Sequence, residues 1–413
     1  MSRLFKNTRF IKLWLSQIFS LLTINMANFI LINRIYEQTS STFAVTLIWV
    51  FYSLPAVLIG PFSGFFVDLW SKRKIMIITS ALQGLVVASF FLVGNQFYLF
   101  YLGVFAYAFL NQFYFPSEAA SIPWLVKKQD FPKANSLFLF TAQLSLLLGF
   151  GGGGLLLRFV SENAAIAGCV VFSLLASLAA WRLPQDTIMA TMDKSDWSEW
   201  AEKSKQGWVF LVNQGRLILI TFGIMAGFQI LTASLVSMLP AIAKEIFHTT
   251  LKEASLGIIL PLGIGLVGGA YVFGRSAEKR RKTTWISLGS LGGGIALILL
   301  SNLYLLATAS RNSLWFIATA LFLLLGASAS TIIIPCQTFI QEFTPANIRG
   351  RVFSLLGVVI TISAIPPVLL IAQAIDSVGV KLLLLGMGVS SIIISGLIFI
   401  KGHETITNTN NRD

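Results

Sequence analysis

Twelve apolar runs constrain the fold of this chain more than any other feature of its sequence. Each run is about 20 residues or longer, which is enough for a helix to cross the apolar core of a bilayer. A helix also satisfies its backbone hydrogen bonds within one segment, as a lipid environment requires. The predicted helices cover 10–36, 44–69, 75–94, 98–123, 134–159, 163–182, 217–243, 254–274, 283–308, 313–341, 351–375 and 378–400. We therefore expect an all-α integral membrane protein with twelve transmembrane helices.

The composition and the distribution of charge support this expectation. Hydrophobic residues are 55% of the chain, and its mean hydropathy of +0.79 lies outside the range of ordinary soluble domains. The net charge of +13 does not indicate a nucleic-acid-binding protein, because no soluble domain is available to carry a basic patch. Of the 30 Lys and Arg residues, 24 face inward, and six are assigned to the outer side: Arg34, Arg158, Lys244, Lys252, Arg311 and Lys381. Since basic loops mark the cytoplasmic side, both termini are predicted to be cytoplasmic.

One sizeable polar segment, 183–215, divides the chain into two halves of similar length. We expect an N-terminal six-helix bundle over 1–182, a cytoplasmic linker over 183–215, a C-terminal six-helix bundle over 216–401 and a cytoplasmic tail over 402–413. The spacing of the apolar residues in the linker fits an amphipathic helix on the membrane surface. A disordered tether whose tryptophans lie at the membrane interface fits the same apolar residues, which are Trp197, Trp200, Trp208 and Leu211. The basic N-terminus has no small-residue cleavage site, so we expect it to be retained.

The two halves repeat one another in sequence. PSEAASIPWLVKKQDFPKANSLF, from Pro116, and PCQTFIQEFTPANIRGRVFSLL, from Pro335, both run from a proline within a helix through a cationic loop into a Ser-Leu helix start. A weaker repeat relates 64–74 to 269–282, with Phe273 in the place of Asp68. Parallel repeats of this kind predict two six-helix bundles related by pseudo-two-fold symmetry.

The segment 64–74, GFFVDLWSKRK, combines an acid at the end of an apolar span with three consecutive bases. Asp68 faces the negative end of the dipole of its own helix, so it needs a partner elsewhere or a neighbouring lysine. Lys72, Arg73 and Lys74 fall in a short loop that we place in the cytoplasm.

This segment resembles the loop 2–3 signature of the major facilitator superfamily, G-x-x-x-D-[RK]-x-G-[RK]-[RK], with departures at Leu69 and Ser71. The resemblance implies that the acid docks against the start of the eleventh helix and that the bases pair across a cytoplasmic gate. The implied gate residues are Gly64, Asp68, Lys72, Arg73, Arg349 and Arg351. FYFPSEAASIPWLV and QEFTPANIRGRVFSLLG resemble the branch that holds macrolide and enterobactin exporters, in which a base often stands near the position of Glu118.

Polar residues inside membrane spans are costly, and each is therefore a functional candidate. The first span carries Gln17, Asn25 and Asn28 on one side, and the fourth carries a stripe of Tyr107, Asn111, Tyr114 and Glu118. The family resemblance implies that the first, fourth, seventh and tenth helices line a central substrate cavity. It adds three residues to the set: Gln229, Ser328 and Thr331. Alternatively, these side chains bond only between packed helices.

Glu118 is the only carboxylate within a transmembrane polar stripe, so it is the candidate for proton coupling. A carboxylate in a partly apolar cavity can bind and release a proton during each transport cycle. The alternative is an ion pair at the cytoplasmic surface with Lys127, Lys128 or a base of another loop.

The fifth span contains a cluster of glycines that allows close approach of a neighbouring helix. The cluster also fits the end of the family's antiporter signature, with Phe150 in place of its proline, so both close packing and an exporter hinge remain open. The helix-packing glycines are Gly149, Gly151, Gly152, Gly153 and Gly154.

Several classes of function are excluded by sequence. There is no GxxxxGK[ST] phosphate-binding loop, so ATP-driven pumping is not expected. His248 and His403 lie outside the presumed cavity, and neither they nor Cys169 and Cys336 suggest a metal or disulfide framework. We expect no enzyme activity, no cofactor and no metal site.

The resemblance implies a monomeric secondary active transporter of the bacterial inner (plasma) membrane. It would export an amphipathic organic compound, such as a drug or secondary metabolite, by alternating access, with or without proton antiport. The small-molecule substrate and the lipid bilayer are then its partners, and nucleic acid is not. The alternatives are a lipid, lysolipid or nutrient transporter of the same fold, and a membrane receptor or scaffold that does not transport.

Overall fold

The computed structural model describes residues 2–94, 96–127, 130–186, 209, 216–276, 281–303, 311–344 and 349–407. Within these ranges the regular structure is helical throughout and comprises fourteen helices. The first half contains α1 (Ser2–Lys6), α2 (Thr8–Thr39), α3 (Thr42–Leu58), α4 (Gly60–Leu69), α5 (Lys72–Ser89), α6 (Phe97–Leu125), α7 (Phe131–Phe159) and α8 (Glu162–Trp181). The second half contains α9 (Arg216–Glu245), α10 (Leu251–Ser276), α11 (Lys282–Ser301), α12 (Arg311–Phe343), α13 (Arg349–Val378) and α14 (Val380–Thr407).

Nine of the described helices, α2 and α7–α14, are long and apolar enough to cross a membrane. The predicted spans 44–69, 75–94 and 98–123 also overlap helices, but these do not reach the same combination of length and hydropathy. Polar residues explain part of the shortfall, because α5 begins with three bases and α6 carries Asn111, Gln112 and Glu118. The all-helical membrane fold is therefore confirmed, whereas the number of twelve spans is not.

The predicted single helix over 44–69 is wrong, because α3 ends at Leu58 and α4 begins at Gly60. Pro61 lies in the first turn of α4 and has no N–H to continue the hydrogen-bond ladder of α3. The backbone N–H groups of Phe62 and Ser63 both donate to the carbonyl oxygen of Ile59, at 2.9 Å each. The ladder therefore restarts at Ile59 and divides the span.

The chain consists of two compact units. Unit 1 comprises 1–209 together with 353–362, and unit 2 comprises 210–352 together with 363–413. Most of the predicted linker, 187–208 and 210–215, lies outside the described residues, so the choice between a surface helix and a tether stays a prediction. At the other end of the chain, α14 continues to Thr407 and includes part of the predicted tail.

In unit 1, α2 packs closely on the glycine-rich part of α7. A Cβ atom at Gly149 would lie 2.3 Å from Cβ of Asn25, and one at Gly153 would lie 3.1 Å from Cδ1 of Phe29. These glycines and their partners are each one helical turn apart, so side-chain-free positions on α7 accommodate two successive residues of α2. Gly152 faces open space, with no atom within 4 Å of a Cβ there.

In unit 2, glycines bring the backbones of α10 and α12 together. A Cβ atom at Gly265 would lie 2.0 Å from the carbonyl oxygen of Leu323, and one at Gly326 would lie 2.0 Å from that of Leu262. Such distances leave no room for any side chain, so the two helices are locked by backbone contacts at these points.

In each unit, serine hydrogen bonds join the helices of the third and sixth predicted spans of that half, which are α5 and α8 in unit 1 and α11 and α14 in unit 2. In unit 1, the Ser173 hydroxyl on α8 donates to the carbonyl of Ser80 on α5, at 2.7 Å. In unit 2, the Ser395 hydroxyl on α14 donates to the carbonyl of Ser287 on α11, also at 2.7 Å. The same contact chemistry thus occurs at corresponding places in the two halves, as expected from the repeat in the sequence.

The α10–α12 contact yields a test with a matched control. We expect Gly265→Ala to lower the free energy of unfolding by about 1–3 kcal/mol, because the new methyl group overlaps the Leu323 carbonyl. Gly268→Ala, on the same helix but facing open space, is expected to leave the melting temperature unchanged or raise it slightly. Thermal unfolding of the purified proteins in detergent measures both, and equal melting temperatures for the two variants would contradict the packing described.

Candidate functional site

The polar stripe of α6 is buried in the structure. Tyr107, Asn111, Tyr114 and Glu118 are each 4% exposed or less. Their partners come from three other helices of unit 1. Asn111 donates from Nδ2 to the hydroxyl of Tyr52 on α3 at 3.2 Å, and accepts at Oδ1 from Nε2 of Gln83 on α5 at 3.5 Å. The predicted stripe is therefore a seam of polar side chains within the helical packing of unit 1.

Tyr114 connects this seam to α2 and, through it, to α8. Its hydroxyl lies 2.8 Å from Oγ of Ser16, which also donates to the carbonyl of Ala176 at 3.0 Å. The ring of Tyr114 belongs to a cluster of buried apolar side chains in unit 1. The other members include Leu13, Ile122, Leu125, Ala134, Phe138 and Ala180.

On α6, Glu118 lies one helical turn after Tyr114 and one turn before Ile122, and both of these residues belong to the cluster. Its Oε1 atom has no hydrogen-bond partner among the described residues. The alternative ion pair with Lys127 is absent from the described contacts, and Lys127 is exposed, while Lys128 lies outside the described residues. A buried carboxylate without a counter-charge is costly when ionised, so burial at this position disfavours a permanent negative charge.

The α2 candidates occupy different surroundings. Gln17 is buried and donates from Nε2 to the carbonyl of Phe138 on α7 at 3.3 Å, while its Oε1 has no partner among the described residues. Asn25 lies against Gly149 at the close α2–α7 contact. Asn28 is partly exposed. Of the three, Gln17 thus offers an acceptor that nothing in the described part of the chain uses.

The unit 2 candidates lie mainly at a helix contact. Ser328 is buried, and a Cβ atom at Gly292 on α11 would lie 3.0 Å from its Oγ. Thr331 donates to the carbonyl of Ser328 at 2.9 Å, within its own helix. Gln229 is half-buried on α9. Contacts of this kind match the packing alternative for the two hydroxyl residues, and their predicted cavity role stays a prediction.

The loop motif has an anchor that the sequence did not reveal. The Asp186 carboxylate accepts from the Ser71 hydroxyl at 2.5 Å and from the backbone N–H of Lys72 at 2.6 Å, and so caps the start of α5. Arg73 donates from Nη2 to the carbonyl of Trp181 at the end of α8, at 2.5 Å. Ser71, a departure from the family signature, supplies the hydroxyl for this contact. The side chains of Asp68, Arg349 and Arg351, and the surroundings of Gly64, lie outside the described residues.

In each unit, a charged residue near the end of the first long helix bonds to the start of the last long helix, which is α8 in unit 1 and α14 in unit 2. In unit 1, Arg34 pairs with Glu162 at 3.1 Å and donates to the carbonyl of Gly94 at 2.8 Å. In unit 2, Oε2 of Glu245 accepts from the backbone N–H of Val380 at 3.0 Å, beside the break at Gly379. Sequence reasoning placed Arg34 on the outer side but did not identify its partners, and it did not single out Glu245.

The described site consists of hydrogen-bonding side chains together with one buried carboxyl group, that of Glu118. Among the described residues, no three His, Cys, Asp or Glu side chains lie close enough together to hold a metal ion. Cys169 and Cys336 are both buried free thiols.

The Asp186 contact yields a second test. We expect Asp186→Ala to lower the free energy of unfolding by about 1 kcal/mol, because the Lys72 N–H and the Ser71 hydroxyl lose their acceptor. Gln185→Ala, at the exposed neighbouring position, is the control and should melt like the wild type. Thermal unfolding in detergent compares them, and an unchanged melting temperature for Asp186→Ala would show that water replaces the carboxylate without cost.

Comparisons with known proteins agree over most of the chain. Residues 13–367 match the family model described as Major Facilitator Superfamily. Macrolide efflux protein A of Streptococcus pyogenes is 23% identical over 381 residues, which cover 90% of this chain and 91% of that protein. The uncharacterized MFS-type transporter YkuC of Bacillus subtilis (strain 168) is 23% identical over 368 residues, covering 84% and 81%.

Two solved structures show the same fold at low identity. A mutant of the nucleoside transporter NupG superposes with a TM-score of 0.75 at 10% identity, covering 94% of this chain and 99% of that one. A POT family transporter in complex with 5-aminolevulinic acid superposes with a TM-score of 0.72 at 12% identity, covering 94% and 95%. At these identities the likeness shows the fold alone.

Proposed function

The chain belongs to the Major Facilitator Superfamily, and from this premise we propose that it is a secondary active exporter of an amphipathic organic compound. The observation that carries the proposal is the similarity to macrolide efflux protein A over 90% of the chain. The export cycle is alternating access, in which the substrate site opens to one side of the membrane at a time. The cargo class is a drug or secondary metabolite.

In this proposal, Glu118 is the proton-coupling residue. Its burial and its unpartnered Oε1 support the assignment, since the described residues provide no ion pair that would hold it charged. The seam of Tyr107, Asn111 and Tyr114 leads along the same face of α6 to this carboxylate. Gln17 adds a buried acceptor on α2. The remaining cavity candidates are Asn25, Asn28, Gln229, Ser328 and Thr331.

The cytoplasmic gate is proposed to consist of Gly64, Asp68, Lys72, Arg73, Arg349 and Arg351. The bonds to the end of α8 support a structural role for the loop, because they fix the start of α5 relative to α8. Arg73 is engaged with the Trp181 carbonyl in this structure, so pairing across a gate would require it to exchange that partner. In this proposal Asp186 also belongs to the gate, because its bonds to Ser71 and Lys72 hold the loop within unit 1.

A growth experiment tests the export of a macrolide. A bacterial host that lacks its own macrolide exporters should tolerate a several-fold higher macrolide concentration when it produces this protein. The control is Asp68→Asn, which we expect to be inserted but inactive. If the host tolerates no more macrolide than with the Asp68→Asn variant, while cells accumulate the protein in the membrane, export of this drug class is excluded.

The location is proposed to be the bacterial inner membrane, with both termini in the cytoplasm. We expect a fluorescent-protein fusion at position 200 to fluoresce, because that position lies in the predicted cytoplasmic linker. An alkaline phosphatase fusion at position 95 should be active, because that position lies in a predicted outer loop and the enzyme is active only on the external side of the membrane. Fusions at both positions that report the same side would contradict the topology.

A further inference from the structure

The second predicted span is built differently in the two units. In unit 1 it is divided into α3 and α4 at Ile59, whereas its counterpart in unit 2, α10, is a single helix of 26 residues. Proline alone does not explain the difference, because α10 also contains a proline, Pro261, within its continuous helix. The break is therefore a feature of unit 1 and not of the repeat.

The first arm of the divided span, α3, is held against α6 by several contacts. The Tyr101 hydroxyl donates to the carbonyl of Ala44 at 2.8 Å, and the Tyr101 ring stacks on Phe51 with centroids 5.4 Å apart. One contact farther along, Asn111 donates to Tyr52. These bonds fix α3 at several points along its length.

The second arm, α4, contacts α6 through side chains that can change their rotamers. A Cβ atom at Gly60 would lie 3.3 Å from Oε1 of Gln112, and the rings of Phe66 and Phe113 lie with centroids 6.3 Å apart. In unit 2 the corresponding contact is made by backbone atoms, at Gly265 against Leu323. Side chains can change rotamer while backbone contacts of this closeness cannot give way, so α4 is freer to move than the matching part of α10.

We propose that Ile59–Pro61 is a hinge and that Gly60 and Pro61 are positioning residues, which set the place of Asp68 by letting α4 pivot on α3. Asp68 is the next-to-last residue of α4, so it lies at the far end of the moving arm. Pro61 lacks the N–H that would continue the α3 ladder, and Gly60 adds no side chain at the pivot. The consequence for gating rests on the proposed export cycle, whereas the pivot itself does not.

Distances between two spin labels can measure this motion without a substrate. The labels are attached to cysteines that replace Trp70, at the exposed end of α4, and Lys133, at the exposed start of α7, after both native cysteines are changed to Ala. Because ten residues of helix span about 15 Å, a kink that changes by about 20° moves the Trp70 position by about 5 Å. The control pair in unit 2 replaces Arg275, at the end of α10, and Ile400 on α14.

The distances are measured at two pH values, one acidic and one alkaline. We expect the Trp70–Lys133 pair to show a broad or two-peaked distance distribution at one of them or at both. The Arg275–Ile400 pair should show one narrow peak. Adding Pro61→Ala, which restores the missing N–H, should reduce the first pair to one narrow peak. Pro261→Ala is the matched control and should leave the unit 2 pair unchanged. A narrow single peak for the first pair at both pH values, or a distribution that Pro61→Ala does not alter, would overturn the hinge. Either result would leave the growth test of export unaffected.

Discussion

Asp68→Asn should reduce transport at least tenfold while the protein remains inserted in the membrane. Asp68 belongs to the last turn of α4, where the helix dipole disfavours a negative charge by about 0.3–1 kcal/mol. Removing the charge therefore relieves α4 of an unfavourable interaction and should not destabilise the fold. A loss of transport then reflects the loss of a partner that Asp68 meets in one state of the gate.

The same variant distinguishes the two interpretations of Asp68. If the carboxylate only pairs with a nearby lysine at the helix end, Asp68→Asn should transport at the wild-type rate or lose expression. If it closes the gate, the variant should melt at the wild-type temperature or higher and yet be inactive. Glu253→Gln, which removes one exposed carboxylate from the first turn of α10, controls for the change in net charge. Wild-type turnover in Asp68→Asn would contradict the gating role.

Glu118→Gln should remove the response of transport to a pH gradient, with a loss of gradient-driven accumulation of about tenfold or more. Glutamine preserves the size and hydrogen-bonding capacity of the side chain but cannot exchange a proton at neutral pH. The repeat provides a natural precedent, because Gln337 stands two residues after Pro335 as Glu118 stands two residues after Pro116. Only the first half of the chain therefore carries an acid at this place.

Vesicle transport under an imposed pH gradient measures this effect. Glu342→Gln is the control, because Glu342 is an exposed carboxylate that pairs with Lys282 near the ends of α11 and α12. We expect this control to keep the gradient response. A Glu118→Gln protein that still transports and still follows the gradient would show that the coupling assignment is wrong.

The sequence predicted the helices better than their interruptions. Every predicted span overlaps a described helix, because long apolar runs in a bilayer have few alternatives to a helix. The break at Ile59 could not be predicted from Pro61 alone, since Pro123, Pro240 and Pro335 all lie inside continuous helices. What decides the outcome at each proline is whether neighbouring groups satisfy the freed carbonyls, and that depends on packing.

The candidate site was predictable as a set of residues but not as a set of contacts. The spacing of Tyr107, Asn111, Tyr114 and Glu118 placed them on one helical face, and all four are buried in the structure. Their partners on α2, α3 and α5 come from distant parts of the sequence and carried no local signal. Asp186 was missed for the same reason, since its partner lies 114 residues away in the chain.

Transport in proteoliposomes tests the central claim most directly. Purified protein is reconstituted, the vesicles are loaded with a radiolabelled macrolide, and a pH gradient is imposed across the membrane. We expect the macrolide to leave the vesicles several-fold faster than it leaves protein-free liposomes, and the excess rate to disappear in Asp68→Asn. A rate equal to that of protein-free liposomes, with protein that melts cooperatively and is therefore folded, would contradict the assignment as an exporter of this class.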